Sequence, residues 1–182
     1  YLKELKKQLI NSMNKWMKYK IIFVFSCLLF CTIVKANNTH KYIGKYKDLV
    51  EELSKEFGIP RSIITAVSII ESGAGRSRNC KLLKNHFGII GRNNLLKTKG
   101  IKTRFKQYET DEDSFRDFCK LLSRRKYYKK LKGNNNYTLW INAIAGAGYS
   151  TTPNVWKKEI TRTIKYYKLD KLDEEVKEVN ED

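Results

Sequence analysis

Residues 63–75 read Ile63-Ile64-Thr65-Ala66-Val67-Ser68-Ile69-Ile70-Glu71-Ser72-Gly73-Ala74-Gly75. Pro60 precedes this stretch at a position a first helical turn tolerates, and Gly73 and Gly75 close it. The spacing predicts a helix over 60–72 with Ile63, Ile64, Val67 and Ile70 on its apolar face. Glu71 lies four residues after Val67 and seven after Ile64, so it shares that face. It is the only acidic residue between Glu56 and Glu109. A carboxylate at the C-terminal end of a buried helix face loses water and meets the negative end of the helix dipole. Both effects disfavour its ionised form. A Glu with a raised pKa is what a general acid needs near neutral pH. The other reading of a lone Glu is a side chain neutralised by Lys or Arg at a helix end.

Outward from this helix the chain keeps helical periodicity. Tyr46, Leu49, Val50, Leu53 and Phe57 predict a helix over 44–57, which Gly58-Ile59-Pro60 ends. Thr110 offers an N-cap with Asp113 at N3, and Phe115, Phe118, Cys119 and Leu122 share one face of the helix that follows. Further helices are expected over 137–147, with Trp140 and Ile144, and over 154–168, with Trp156, Ile160, Ile164 and Tyr167. Residues 86–91 and 101–108 read as two short extended segments joined by a loop from Gly91 to Gly100. The expected class is mostly α (α+β), with one small β-hairpin. The tail beyond Leu172 is expected to fray.

The chain has 182 residues, enough for one ordinary domain and too short for two. Hydrophobic residues make up 41%, which argues against wholesale disorder, and only 10 Gly and 2 Pro exclude collagen-like and low-complexity classes. The net charge of +18 is uneven: 28 basic against 11 acidic residues over 37–169, then 2 against 7 over 170–182. A basic body implies an anionic partner.

Residues 21–34 are apolar apart from Ser26 and Thr32. Lys15, Lys18 and Lys20 precede them, and Val34-Lys35-Ala36 supplies small residues for a cut after Ala36. These are the parts of an export signal. Fourteen residues are short for a membrane span, although an uncleaved anchor is the alternative. The expected organisation is an N-terminal extension and signal over 1–36, a domain over 37–172 and an acidic tail over 173–182. Met13 and Met17 are candidate starts. The expected location is secreted, periplasmic or at the cell envelope, which disfavours nucleic acid as the partner. Cys80 and Cys119 could pair in an oxidising compartment or serve as small buried hydrophobes. No spacing of Cys and His suggests a metal site, and no cofactor is expected.

Several stretches, in this order, resemble the glucosaminidase domain of glycoside hydrolase family 73. They are Ala66 to Gly75 with Ser77, Asn85-His86-Phe87-Gly88-Ile89, Arg104-Phe105-Lys106-Gln107-Tyr108 and Ser114-Phe115-Arg116-Asp117-Phe118. Gly148-Tyr149-Ser150-Thr151 with Pro153 follows, then Tyr167 to Leu169, and Leu169-Asp170 resembles the end of the bacteroidete-type members. The resemblance implies a lysozyme-like helical domain whose hairpin lobe flanks a groove. It implies an endo-β-N-acetylglucosaminidase that cuts the β-1,4 bond after N-acetylglucosamine in peptidoglycan. Glu71 matches the general acid and Tyr149 the tyrosine near the cleaved sugar. Asn85, Phe87, Gly88 and Thr151 match substrate-side motif positions.

One departure concerns the second carboxylate that many family members carry in the hairpin lobe. Residues 72–108 hold 10 Lys and Arg and no Asp or Glu. Paired-carboxylate geometry cannot be completed from that segment. Three routes stay open: attack by the substrate's own acetamido oxygen with Tyr149 orienting it, a reach inward by Glu109 or Asp111, or a wall-binding module without turnover. A lytic transglycosylase is a further enzyme alternative. A second departure is Val155, where relatives often place Tyr. The expected partners are peptidoglycan strands and an anionic cell-wall surface, met as a monomer.

Overall fold

The computed structural model describes Lys20 and residues 37–178, with side chains up to Glu174. Lys20 apart, the export signal expected within 1–36 and its cut after Ala36 lie outside the described residues, as do Cys27 and Cys31. The chain divides into two compact units between His40 and Lys41. In the first, residues 37–40 are helical.

In the second unit, residues 41–45 are helical and lead through a turn at Tyr46 into α1 (Lys47–Phe57). There follow α2 (Arg61–Ser72), α3 (Arg78–Leu83), α4 (Leu95–Lys99), α5 (Asp111–Ser123) and α6 (Tyr128–Leu131). The last three are α7 (Tyr137–Gly146), α8 (Pro153–Tyr167) and α9 (Lys171–Glu178). Helix α2 is the centre. Every residue from Arg61 to Ile69 is buried, and so is Ser72. A helix covered on all sides needs neighbours on all sides. Here α1, α5, α7, α8 and α9 pack around it. Two of its hydroxyls bond within the helix, Ser68 Oγ donating to the Thr65 carbonyl at 2.8 Å and Ser72 Oγ to the Ser68 carbonyl at 2.6 Å, whereas the buried Ser62 Oγ finds no partner among the described residues. Gly73 ends it in the left-handed region at φ 59°, returning its N–H to the Ile69 carbonyl.

Around α2 the apolar faces meet in one core containing Leu53, Phe87, Phe115, Phe118, Trp140, Ile160 and Ile164. Phe87 stacks on Phe118 with ring centroids 4.2 Å apart and meets Phe115 edge to face at 4.9 Å. Trp140 Nε1 donates to the Asn134 carbonyl at 2.8 Å, so its burial leaves no orphaned donor. Thr110 and Asp113 form the expected capping box of α5. Arg116 binds Glu52 and Glu56, tying α5 to α1 at the surface. Cys80 and Cys119 are both free and buried.

Two expectations are corrected. The paired strands at 86–91 and 101–108 reduce to a single antiparallel bridge, Ile90 with Phe105. Three backbone bonds join the segments, from Gly91 N–H to the Arg104 carbonyl, Lys106 N–H to Ile89 and Gln107 N–H to Arg92, and asparagine side chains supplement them. Asn85 Nδ2 donates to the carbonyls of Ile89 and Lys106, and Asn93 Nδ2 to those of Thr103 and Phe105, at 2.8–3.0 Å. Between them the chain folds into α4 rather than a plain loop. The second correction is the tail, which continues as α9 instead of fraying past Leu172. Asp173 is buried, and its Oδ1 accepts from the Ser62 N–H at 3.1 Å. A carboxylate there satisfies an open donor in the first turn of α2.

The central helix sets the stability. Ile64→Ala, at a fully buried position, is expected to cost about 2–5 kcal/mol. It should lower the urea midpoint of the full chain with little change in m.

Candidate active site

Glu71 sits in the last turn of α2, where the buried helix comes to the surface. Its Oε1 accepts a hydrogen bond from the indole Nε1–H of Trp156 on α8 at 3.0 Å. Its Oε2 faces the backbone of the 85–89 turn. A methyl group placed on Gly88 would lie 3.5 Å from Glu71 Oε2 and 3.9 Å from Phe105 Cε1. Gly88 itself is left-handed at φ 65°, a conformation that costs other residues about 1–2 kcal/mol. Glycine therefore lets the turn pass close over the carboxyl.

Burial raises the Glu71 pKa above the usual carboxylate range, and the negative charge of Glu159 adds to that. The Trp156 hydrogen bond opposes both. Because the indole N–H occupies Oε1, the proton of the neutral acid belongs on Oε2, the oxygen beside Gly88. The group is thus an oriented carboxyl whose neutral form burial favours. No Lys or Arg pairs with it among the described salt bridges, so the reading of a neutralised helix-end Glu does not describe it.

Tyr149, on the loop between α7 and α8, packs against Trp156 with centroids 5.5 Å apart and edge-on to Phe118 at 5.9 Å. Its hydroxyl donates to the Phe87 carbonyl at 2.8 Å. Burial keeps this phenol neutral far above pH 10, and the charge of Glu71 acts the same way. Glu71, Gly88, Tyr149 and Trp156 are thereby one cluster drawn from three separate stretches of chain.

Asn85 and Phe87 support this cluster from beneath. Each is 2% exposed. Asn85 Oδ1 accepts from the N–H groups of Phe87 and Ile89, and Nδ2 donates to two carbonyls, which uses its full hydrogen-bonding capacity. Asn85 pins the turn and Phe87 anchors it in the core, so any part they take in substrate binding goes through the shape of the turn. Thr151 is exposed two residues past Tyr149, and its side chain joins none of these contacts.

His86 lies beneath the turn. Its ring meets Tyr42 Oη at 2.7 Å and Asp111 Oδ1 at 3.1 Å, while its N–H donates to Ser114 Oγ at 2.9 Å. Burial lowers its pKa against the pull of Asp111. Asp111 also accepts from Tyr46 and Lys45. These donors outweigh its burial and hold its pKa at about 2. Asp111 is committed to fastening the turn to α1 and α5 and does not reach toward Glu71. Glu109 is exposed, and its carbonyl accepts from Lys84. Sequence reasoning raised Trp156 only as a candidate stand-in for the tyrosine that relatives place at Val155, and it missed Glu159. The only available signal was the neighbouring Val155, which is 55% exposed and leaves the contact to Trp156. Among the described residues no cluster of His, Cys, Asp and Glu could hold a metal ion.

The family described as mannosyl-glycoprotein endo-beta-N-acetylglucosaminidase, Glucosaminidase, matches residues 47–169, a span that holds every member of this cluster. The chain belongs to the glucosaminidase family. Among its relatives is the exo-glucosaminidase LytG of Bacillus subtilis, 28% identical over 150 residues, which cover 73% of this chain and 53% of LytG. Another is the peptidoglycan hydrolase FlgJ of Vibrio cholerae, 24% identical over 141 residues, 64% of this chain and 40% of FlgJ. The chain spans about half the length, or less, of these curated relatives. Solved structures agree on the fold. The catalytic domain of the autolysin Auto from Listeria monocytogenes superposes with a TM-score of 0.63 at 24% identity, covering 75% of this chain and 88% of that one. The glycoside hydrolase domain of Salmonella typhimurium FlgJ gives 0.57 at 23%, covering 78% and 94%. The glucosaminidase domain here is accordingly mostly helical with lysozyme-like neighbours.

Two substitutions should move the Glu71 titration in opposite directions. Trp156→Phe removes the donor that favours the carboxylate, so the pKa rises. Glu159→Gln removes a like charge, so it falls. Carbon-13 NMR titration of the Glu71 carboxyl reads both. Asn85→Ala should cost about 2–4 kcal/mol, since it removes four hydrogen bonds, three to the turn and one to the Lys106 carbonyl; chemical denaturation measures that loss.

Proposed function

We propose that this domain hydrolyses peptidoglycan, cutting the β-1,4 bond after N-acetylglucosamine with Glu71 as the general acid. The observation that carries this reading is the Glu71 carboxyl. It is partly desolvated, oriented by the Trp156 indole and presented past Gly88, whose missing side chain leaves room for a glycosidic oxygen. A protonated Oε2 at that place supplies the proton that the departing sugar oxygen needs. Family membership and the printed activities of LytG and FlgJ support the same reaction.

The nucleophile is then the acetamido carbonyl oxygen of the substrate. Residues 72–108 hold no carboxylate, and Asp111 is bound to His86, Tyr46 and Lys45. Substrate-assisted attack is a recognised exception to the two-carboxylate scheme. Tyr149 suits it. Its single proton goes to the Phe87 carbonyl, so its oxygen is left to accept from the acetamido N–H. That contact strengthens the carbonyl oxygen as a nucleophile. In this reading the 84–108 segment is the lobe flanking the substrate groove, and its cationic side chains attract wall anions in a salt-sensitive way. The domain acts as a monomer outside the cytoplasm after export through residues 1–36. The second reading, a wall-binding domain without turnover, rests on the same bare lobe.

The test is mass spectrometry of peptidoglycan digested with the full chain and with Glu71→Gln. Fragments ending in reducing N-acetylglucosamine are expected, with a loss of at least a thousandfold in the variant. Reducing or anhydro N-acetylmuramic acid ends would reassign the bond. Sedimentation with the wall and no fragments would favour the binding domain.

A further inference from the structure

On the side of α8 away from Trp156, the outer faces of α7 and α8 enclose a groove of about 910 Å³. Trp156, Ile160 and Ile164 turn inward toward α2, whereas Lys158, Thr161 and Lys165 lie about half a turn round the helix and line the groove. The groove therefore shares no residue with the Glu71 cluster. Four cations line it, Lys157, Lys158, Arg162 and Lys165, and no lining residue is acidic. None of the four makes an ion pair among the described salt bridges, although acidic partners quench several other basic residues of this chain. Between the cations stand neutral hydrogen-bonding groups, including Asn142 and Asn154. Ile141 forms part of the floor, and the Tyr166 ring stands 66% exposed at the side.

We propose that this groove binds a linear polyanion in which phosphodiesters link hydroxylated units, a polyol- or sugar-phosphate chain. Three features set this chemistry. Three of the α8 cations, Lys158, Arg162 and Lys165, follow one another at steps of four and three residues, about 5 Å of helix rise each, with Lys157 beside the first. That density suits a ligand with a charge on every short repeat rather than scattered carboxylates. The amide groups between them can satisfy the hydroxyls of the repeat. The Tyr166 ring offers an apolar face to the aliphatic C–H groups of a polyol or sugar. Lys158, Arg162 and Lys165 run along one face of α8, an arrangement that suits a linear chain lying along the helix. A ligand held there would keep the domain on a phosphate-bearing matrix while the Glu71 cluster, on the other side of α8, stays open.

The test is binding of a purified poly(glycerol phosphate) to the full chain, followed by calorimetry across a salt series. The reading involves no glycan cleavage, so it succeeds or fails separately from the role of Glu71. The variant Lys158→Gln/Arg162→Gln/Lys165→Gln is compared with Lys120→Gln/Lys129→Gln/Lys130→Gln, which removes equal charge elsewhere. The groove variant should bind at least tenfold more weakly and with a shallower salt dependence, reflecting fewer released counterions. The control variant should change less than threefold. Chemical-shift mapping on the unsubstituted chain should place the perturbed amides on α7 and α8. Equal losses in both variants, perturbations elsewhere, or tighter binding of single-stranded DNA or a polyuronate of matched charge would overturn the proposal.

Discussion

A helix with apolar side chains on nearly every face can exist in water only if other elements surround it, and α2 imposes that condition on this chain. Five helices pack against it. Burial of this kind contributes roughly 25 cal/mol for each Å² of apolar surface removed from water, so the surroundings cannot be loosened locally without a large cost. The same burial acts on the residue at the end of the helix. Glu71 emerges where the packing stops, close enough to the interior to be desolvated and close enough to the surface to meet a ligand. The acidity of the site is thus a by-product of how the core is closed.

Orientation comes from the neighbours. Trp156 belongs to the core face of α8, and its ring is buried. Its one polar atom reaches Glu71. A single residue therefore joins the packing of α2 against α8 to the choice of which carboxyl oxygen carries the proton. Tyr149 does similar work between the α7–α8 loop and the turn at Phe87. Neither contact is strong alone, at about 1 kcal/mol net for a hydrogen bond of ordinary geometry. Both hold because the rings on which they sit cannot move.

Much of this was legible in the sequence, and the exceptions share a cause. The run from Ile63 to Ile70, with Pro60 before it and Gly73 after it, states a helix and its ends in local terms. Thr110 and Asp113 do so for α5. The position of Glu71 on the apolar face was enough to anticipate its raised pKa. The hairpin was misjudged because alternation along 101–108 does not reveal that side-chain amides from Asn85 and Asn93 take the carbonyls a partner strand would have used. Asp173 caps a helix 111 residues earlier in the chain, a pairing no local pattern carries. Asn85 was placed at the substrate because the motif locates it beside the site. Its four internal bonds, which no motif reveals, fasten the turn. The contact of Trp156 with Glu71 was only hinted at by its place next to Val155, since Trp156 otherwise has the spacing of any core residue on α8.

The asparagine pins also decide which part of the 84–108 segment is free to vary. A strand pair passes register along its whole length, so lengthening one strand shifts every contact beyond it. Here Asn85, Asn93 and three backbone bonds hold the base through point contacts, and the largely exposed stretch from Lys97 to Lys102 carries no part of that hold. Insertions or deletions there add only a slowly growing loop-closure entropy and leave Gly88 where it stands over the carboxyl. The tip can be rebuilt in length and charge, and so matched to different glycan surroundings, while the chemistry beneath it is inherited unchanged.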